Sequence, residues 1–477
     1  MALRKTALGA ATLSIARVLQ LASSFIAVPF LARILTPTDF GLVALALSVV
    51  TFFTYIGDAG FGRSLVRTSA SDHESWSSAH WAVISLTCCL ALAIVALAWP
   101  ASVFFREPRL FPILSVFALA PIMIGLTEIP ASSLLQQEKF QWLAASEFIS
   151  AIAGVAVALS LAVAGAGVWA LVWQQLTQRI VKSAVINYAT TFRPAFILKF
   201  DRLGEHLRFA ADTVGWSIMQ FVGRQADTLI VGKFLGAATL GLYNVAVRVM
   251  QLPISIFGGS LNSVLYPRMA RLHGDAVALR QMVLTISMAQ AAFVFPPIAA
   301  IAAASKAFFL VLLSDRWHGV GDIFTLLAVA GAVQTVVGLN GSLLQAVGKT
   351  GARLRLTVEF AIFWSLSALV LAQFSIQAVA LGSSVVTLLY LPRLLHLYLK
   401  PIQCSSLDFA RALAAPTAAS LAVFAGHRLL ITYFEIDAWP QIGLAVLETL
   451  LAWALLIGFG RRTISTQMKT MREIFAV

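Results

Sequence analysis

Apolar residues recur along the whole chain in stretches of roughly 20 or more, the length an α-helix needs to cross a hydrocarbon core about 30 Å thick. The pattern predicts helices at about 14 places, the first over 11–34 and the last over 439–460. The polar connections between them are short, so none of the 477 residues is left over for a soluble catalytic domain. Composition agrees, with 59% hydrophobic and 12% charged residues where a soluble protein carries about 25% charged. The expected fold class is therefore an all-α polytopic membrane protein with about 14 transmembrane helices. Arg4 and Lys5 ahead of the first apolar run look like a signal peptide, but no small-residue cleavage site follows, so that run reads as a retained first helix.

The net charge of +13, from 34 Lys and Arg against 21 Asp and Glu, suits the loops that orient a membrane chain better than a nucleic-acid surface. With both termini inside, and residues of the flanking helical turns counted with each loop, 24 Lys and Arg fall inside against 7 outside. Both ends are thus expected in the cytoplasm. Arg17, Arg224 and Arg248 remain within spans.

The basic loop over 191–207 separates two halves that resemble each other. Residues 31–50 align without a gap to 231–250, sharing Leu35/Leu235, Gly41/Gly241, Leu42/Leu242, Ala46/Ala246 and Val49/Val249. Further on, Leu134-Leu135-Gln136 echoes Leu343-Leu344-Gln345, and Glu147-Phe148 echoes Glu359-Phe360. Six helices separate equivalent positions, so the repeat is parallel, with an axis along the membrane normal and a substrate site expected between the halves. The expected organisation is an N-terminal lobe over 1–200, a C-terminal lobe over 201–400, and two additional spans with a basic cytoplasmic tail over 401–477.

Charge is costly at mid-bilayer, so embedded ionisable residues face a bundle interior or a water-filled cavity. Ser217, Gln220, Arg224 and Asp227 step by three, four and three along one helical face, and Arg17, Gln20 and Ser24 answer them in the first span. Asn244, Arg248, Gln251 and Ser255 form a third stripe, answered by Ser48, Thr51, Tyr55 and Asp58. Four repeat-related polar faces point to a central aqueous cavity between two pseudo-symmetric lobes. Arg17, Gln20, Gln220, Arg224, Asn244, Arg248 and Gln251 are its candidate substrate ligands. Asp58, Glu147, Asp227 and Glu359 are candidates for ion coupling; Glu128 and Glu448 have no matching stripe. The competing readings are structural: Arg224 and Asp227 neutralise one another, the Ser and Thr hydroxyls bond their own backbone, and the two glutamates serve as partners for interior cations.

Other chemistry finds no purchase. The run Ala346-Val347-Gly348-Lys349-Thr350 resembles the end of a phosphate-binding loop, but Leu343 stands where the earlier glycine is required. The three cysteines and seven scattered histidines make neither a disulfide framework nor a metal cluster. No cofactor is expected.

Several motifs resemble those of the polysaccharide-export flippases (Wzx-type), in the exopolysaccharide branch of the multidrug, oligosaccharidyl-lipid and polysaccharide exporter superfamily. They are Leu35-Thr-Pro37-Thr-Asp39-Phe40-Gly41, Gly57-Asp58-Ala-Gly60-Phe61, Gly167-Val-Trp169-Ala-Leu171-Val, the stretch from Asp227 through Gly232 and Gly236 to Arg248, and Tyr266-Pro267. The resemblance covers nearly the whole chain. It implies 12 to 14 helices in two lobes, a cationic central cavity, and alternating access that carries a polyprenyl-diphosphate-linked oligosaccharide from the cytoplasmic to the outer leaflet of a bacterial inner membrane. Polymerase or export machinery would be the protein partners. Arg is suited to a diphosphate, since it offers a permanently charged planar fork of donors, and Asn, Gln, Tyr and Ser suit sugar hydroxyls. The alternatives are a cation-coupled drug exporter, which would want an acidic cavity, and a membrane glycosyltransferase or polymerase, which would want a carboxylate site and a large outer loop. The outer loops are short, the longest near 305–321 and 427–438.

Overall fold

The computed structural model describes residues 20, 23, 25–57, 73–197 and 204–476, with side chains described except at 204–216, 220, 253, 256–264 and 459–476. Every regular element among them is helical, as expected where no water is present to satisfy open backbone groups. In order they are α1 (Phe25–Ile34), α2 (Pro37–Gly57), α3 (His73–Phe105), α4 (Leu110–Phe117), α5 (Leu119–Gln136), α6 (Phe140–Val163), α7 (Val168–Ala189), α8 (Gly204–Arg271), α9 (Ala276–Ala303), α10 (Ser305–Leu312), α11 (Val320–Val337), α12 (Asn340–Ala346), α13 (Thr350–Leu371), α14 (Ile376–Leu399), α15 (Ser406–Tyr433) and α16 (Ala438–Ala476). Among the described residues, 11 candidate spans are long and apolar enough to cross a membrane. The difference from about 14 falls at three places. Gln174, Gln175, Arg179, Lys182 and Asn187 make α7 too polar. Ser217–Leu252 of α8 is a single stretch across two expected spans. The first expected span is described chiefly as the short α1.

Helix ends explain several of the motifs. The stretch Thr36-Pro37-Thr38-Asp39 is a capping box: the Thr36 amide donates to Asp39 Oδ2 at 2.9 Å and the Asp39 amide to Thr36 Oγ1 at 3.3 Å, with proline at the first helical position. At the repeat-related position, 200 residues on, the helical path of α8 breaks at Gly236 (φ 81°, ψ 171°), a conformation that needs glycine. One half thus starts its helix with a side-chain cap and the other with a glycine break.

The rejected phosphate-loop motif also has a structural explanation. After α5 the amides of Lys139 and Glu138 donate to the carbonyls of Leu134 (2.9 Å) and Leu135 (3.1 Å); after α12 those of Lys349 and Gly348 donate to Leu344 (2.7 Å) and Gln345 (3.1 Å). Both are Schellman helix ends, with the left-handed position taken by Glu138 (φ 55°) in one half and Gly348 (φ 72°) in the other. Gly348 therefore serves the turn. A Cβ there would meet nothing within 4 Å, so Gly348→Ala should lose only the left-handed backbone penalty, about 1 kcal/mol, read as a small drop in the melting temperature of the solubilised protein.

The chain divides into two compact units, Met1–Gly241 and Leu242–Val477. In the first, α3 packs on α5, α5 on α7 and α6 on α7, while α2 touches α3, α4, α5 and α7. In the second, α9 packs on α11, α11 on α14 and α13 on α14, the same three pairings displaced by six expected spans. The last two helices, α15 and α16, both lie on α9, and a core around Met282, Leu343, Tyr398 and Phe409 binds α9, α12, α14 and the start of α15.

The first unit contains a contact that depends on absent side chains. A Cβ on Gly41 would overlap the carbonyl oxygen of Ala237, and one on Gly241 would overlap that of Pro37. The two repeat-related helix starts, 37–41 and 237–241, therefore cross backbone against backbone, the close approach that small residues permit between membrane helices.

Candidate functional site

In the first unit the polar face of α8 carries Ser217, Arg224 and Asp227. Arg224 is exposed and Asp227 half-buried, the latter accepting from the Thr228 amide at 2.8 Å. Among the described residues no ion pair joins Arg224 to Asp227, so three-residue spacing has not produced mutual neutralisation. The neighbouring face of α8 is the one that packs: Phe221 meets Phe52 edge-on at 5.2 Å, and Gln225 Oε1 accepts from Ser48 Oγ at 2.9 Å. Ser48, placed on a polar stripe, is thus 2% exposed and holds α2 to α8. Gln225 escaped the sequence analysis because it lies one position outside the stripe of Gln220 and Arg224. Gln20 is half-buried, and its carbonyl accepts from Ser23 Oγ at 2.9 Å. Arg17, Ser24 and Asp58 lie outside the described residues, as does the side chain of Gln220.

In the second unit Asn244 is half-buried, while Arg248 and Gln251 are exposed, one turn apart on the same face. The buried neighbours Tyr243, Val245 and Val249 occupy the opposite side. Among the described residues Arg248 has neither an ion pair nor a hydrogen-bond partner. Ser255 bonds its own helix, donating to Leu252 O at 2.8 Å.

The repeat-related glutamates sit in matching ion pairs. Glu147 on α6 accepts from Lys182 on α7 at 2.7 Å, 35 positions away. Glu359 on α13 accepts from Arg393 on α14, 34 positions away, at 3.3 Å, from Arg355 at 2.7 Å, and from the Tyr390 hydroxyl at 3.0 Å. Each carboxylate ties its helix to the next one, at the same place in the repeat. Glu448, by contrast, pairs with His427 of α15 at 2.7 Å in a setting where the histidine is wholly buried.

One further cation escaped the sequence analysis. Arg179 and Lys182 enter the charge tally on the inner side although the expected span over 168–190 contains them, and α7, which continues to Ala189, holds them about three and two turns inside the helix. Lys182 is paired as above; Arg179, half-buried, has no partner among the described residues. The signal was its distance from the nearest loop, which the charge count along loops obscured.

The arrangement offers exposed guanidinium groups and amides on helices that span hydrocarbon, a setting for polar, anionic cargo. Comparison with known proteins gives the family. A family model described as a polysaccharide biosynthesis protein matches residues 30–322. The succinoglycan biosynthesis transport protein ExoT of Rhizobium meliloti (strain 1021) is 27% identical over 326 residues, which is 68% of this chain and 66% of ExoT. The lipopolysaccharide biosynthesis protein WzxC of Escherichia coli (strain K12) is 24% identical over 366 residues, 75% of this chain and 73% of WzxC. Among solved structures, the lipid II flippase MurJ in its inward closed conformation superposes with a TM-score of 0.78, covering 96% of this chain and 99% of MurJ at 13% identity, a likeness of fold. The chain matches about two thirds of the length of ExoT.

Proposed function

Because this chain belongs to the polysaccharide biosynthesis protein family, we propose that it is a lipid-linked oligosaccharide flippase and not an enzyme, moving saccharide repeat units across the membrane by alternating access. Its cargo is a polyprenyl-diphosphate-linked oligosaccharide, carried from the cytoplasmic to the outer leaflet of a bacterial inner membrane, with both chain termini in the cytoplasm and a polysaccharide polymerase taking the product. The observation that carries this assignment is the family match over residues 30–322.

The chemistry of these side chains supports it. A diphosphate does not cross hydrocarbon bare, and Arg224 and Arg248, with Arg17, supply fixed positive charge in forked form. Gln20, Gln220, Asn244 and Gln251 donate to and accept from sugar hydroxyls. Asp58 and Asp227 are assigned to any ion coupling, whereas Glu147 and Glu359 are held by cations on adjacent helices. Exposed arginines disfavour a cation-coupled drug exporter, which would want an acidic cavity.

Deleting the gene from its host should abolish the surface polysaccharide and accumulate lipid-linked repeat units in the cytoplasmic leaflet, with plasmid-borne protein restoring both. Normal surface polysaccharide in the deletion strain would overturn the assignment.

A further inference from the structure

The second unit holds a cavity of about 480 Å³ whose lining includes none of the polar-stripe residues, within the size range of small-molecule sites. It opens where α10, the turn after it and the start of α11 meet the first turn of α16. Its floor is aromatic: Phe309 and Trp317 are each 2% exposed, with Phe309 stacked obliquely on Phe324 at 5.5 Å. The polar side chains at its wall are Lys306, Ser314, Asp315, His318, Asp322 and Gln441.

Three features of this wall define a ligand. Lys306 and Asp322 face each other at 4.0 Å with side chains 79% and 53% exposed, a loose pair that a ligand can enter. The Gln441 amide donates to Ile436 O at 2.6 Å, which leaves its carbonyl oxygen as an acceptor. Independently of these charged groups, Ser314 Oγ is buried and finds no hydrogen-bond partner among the described residues, although a buried hydroxyl ordinarily has one. Two carboxylates against one ammonium do not attract phosphate. Mixed donors and acceptors at the wall of a cavity suit a polyhydroxylated ring, whose hydroxyls need both kinds of partner.

We propose that this cavity is a carbohydrate-binding site, distinct from the diphosphate-binding faces, that receives sugar residues of the cargo on the outer side of the membrane. This rests on the flippase assignment: in the charge-based topology the loops near 305–321 and 427–438 are the longest on the outer side, and they supply the cavity. The arginine faces hold the charged linker and the sugar next to it, and the cavity holds hydroxyls of sugars farther along the cargo.

The test is saturation-transfer NMR on the full-length protein in nanodiscs, with methyl glucoside, methyl galactoside and N-acetylglucosamine as probes. At least one probe should receive saturation, the signal should fall at least 10-fold in Asp315→Asn/Asp322→Asn, and it should persist in Arg248→Ala. His318→Ala, at an exposed side chain, provides a second variant should the double one not fold, and should also weaken the signal. Absence of signal for all probes, a signal unchanged in these variants, or displacement of the sugar by inorganic phosphate would overturn the site. Export measured in parallel separates the two claims: loss of the sugar site with intact export removes this inference alone, whereas sugar binding by a protein whose deletion leaves polysaccharide unchanged removes the flippase assignment.

Discussion

Arg248→Ala should abolish polysaccharide export while the protein remains in the membrane at its normal level. Arg248 is exposed and has no partner among the described residues, so its removal strands no buried charge and costs little stability. Function is another matter. Losing one partner of a desolvated charge pair costs about 2–5 kcal/mol, and the midpoint corresponds to several-hundred-fold weaker binding of the diphosphate. Arg248→Lys keeps the charge without the planar fork and should export at an intermediate level. Arg224→Ala should behave in the same way, and the double change Arg224→Ala/Asp227→Ala should stay inactive, because no ion pair joins the two side chains for the second change to repair. Surface polysaccharide and membrane abundance, measured together, check all four variants. Wild-type export by Arg248→Ala would remove this residue from the site.

The second large effect is on folding. A methyl group on Gly41 or Gly241 would overlap a backbone carbonyl, of Ala237 and Pro37 respectively, and a backbone has no rotamer through which to yield. Ordinary overpacking costs about 1–3 kcal/mol, and here the helices themselves must separate. Either Gly→Ala change should therefore consume a large part of a typical 5–15 kcal/mol stability and sharply reduce the yield of monodisperse protein on size-exclusion chromatography. Gly426→Ala is the contrast: a Cβ there meets nothing within 4 Å, and replacing a mid-helix glycine should be neutral or stabilise by up to about 1 kcal/mol. Equal yields from Gly41→Ala and Gly426→Ala would show that the crossing is not close.

Much of this was legible along the chain. The bilayer makes hydrocarbon the solvent, so apolar length placed a helix at most of the expected stretches that fall on described residues, with α7 too polar to count as a span and two expected spans run together in α8. The internal repeat was legible too, because an offset of 200 carries Gly41 to Gly241 and the capping box at Thr36 to the break at Gly236. The phosphate-loop look-alike was correctly set aside on spacing, though its true role as a helix end came from the φ of Gly348.

Helical periodicity names a face but not what the face meets, and that division runs through the whole molecule. The sequence by itself determined the class of protein, the helices and the set of embedded polar groups, since those follow from the cost of exposing backbone and charge to lipid. Only the tertiary structure decided which partner each described group meets. It gave Ser48 to Gln225 and committed Glu147 to Lys182 and Glu359 to Arg393. Arg224 and Arg248 it left exposed. Partners 34 or 35 positions apart on neighbouring helices are chosen by packing, which no local spacing encodes.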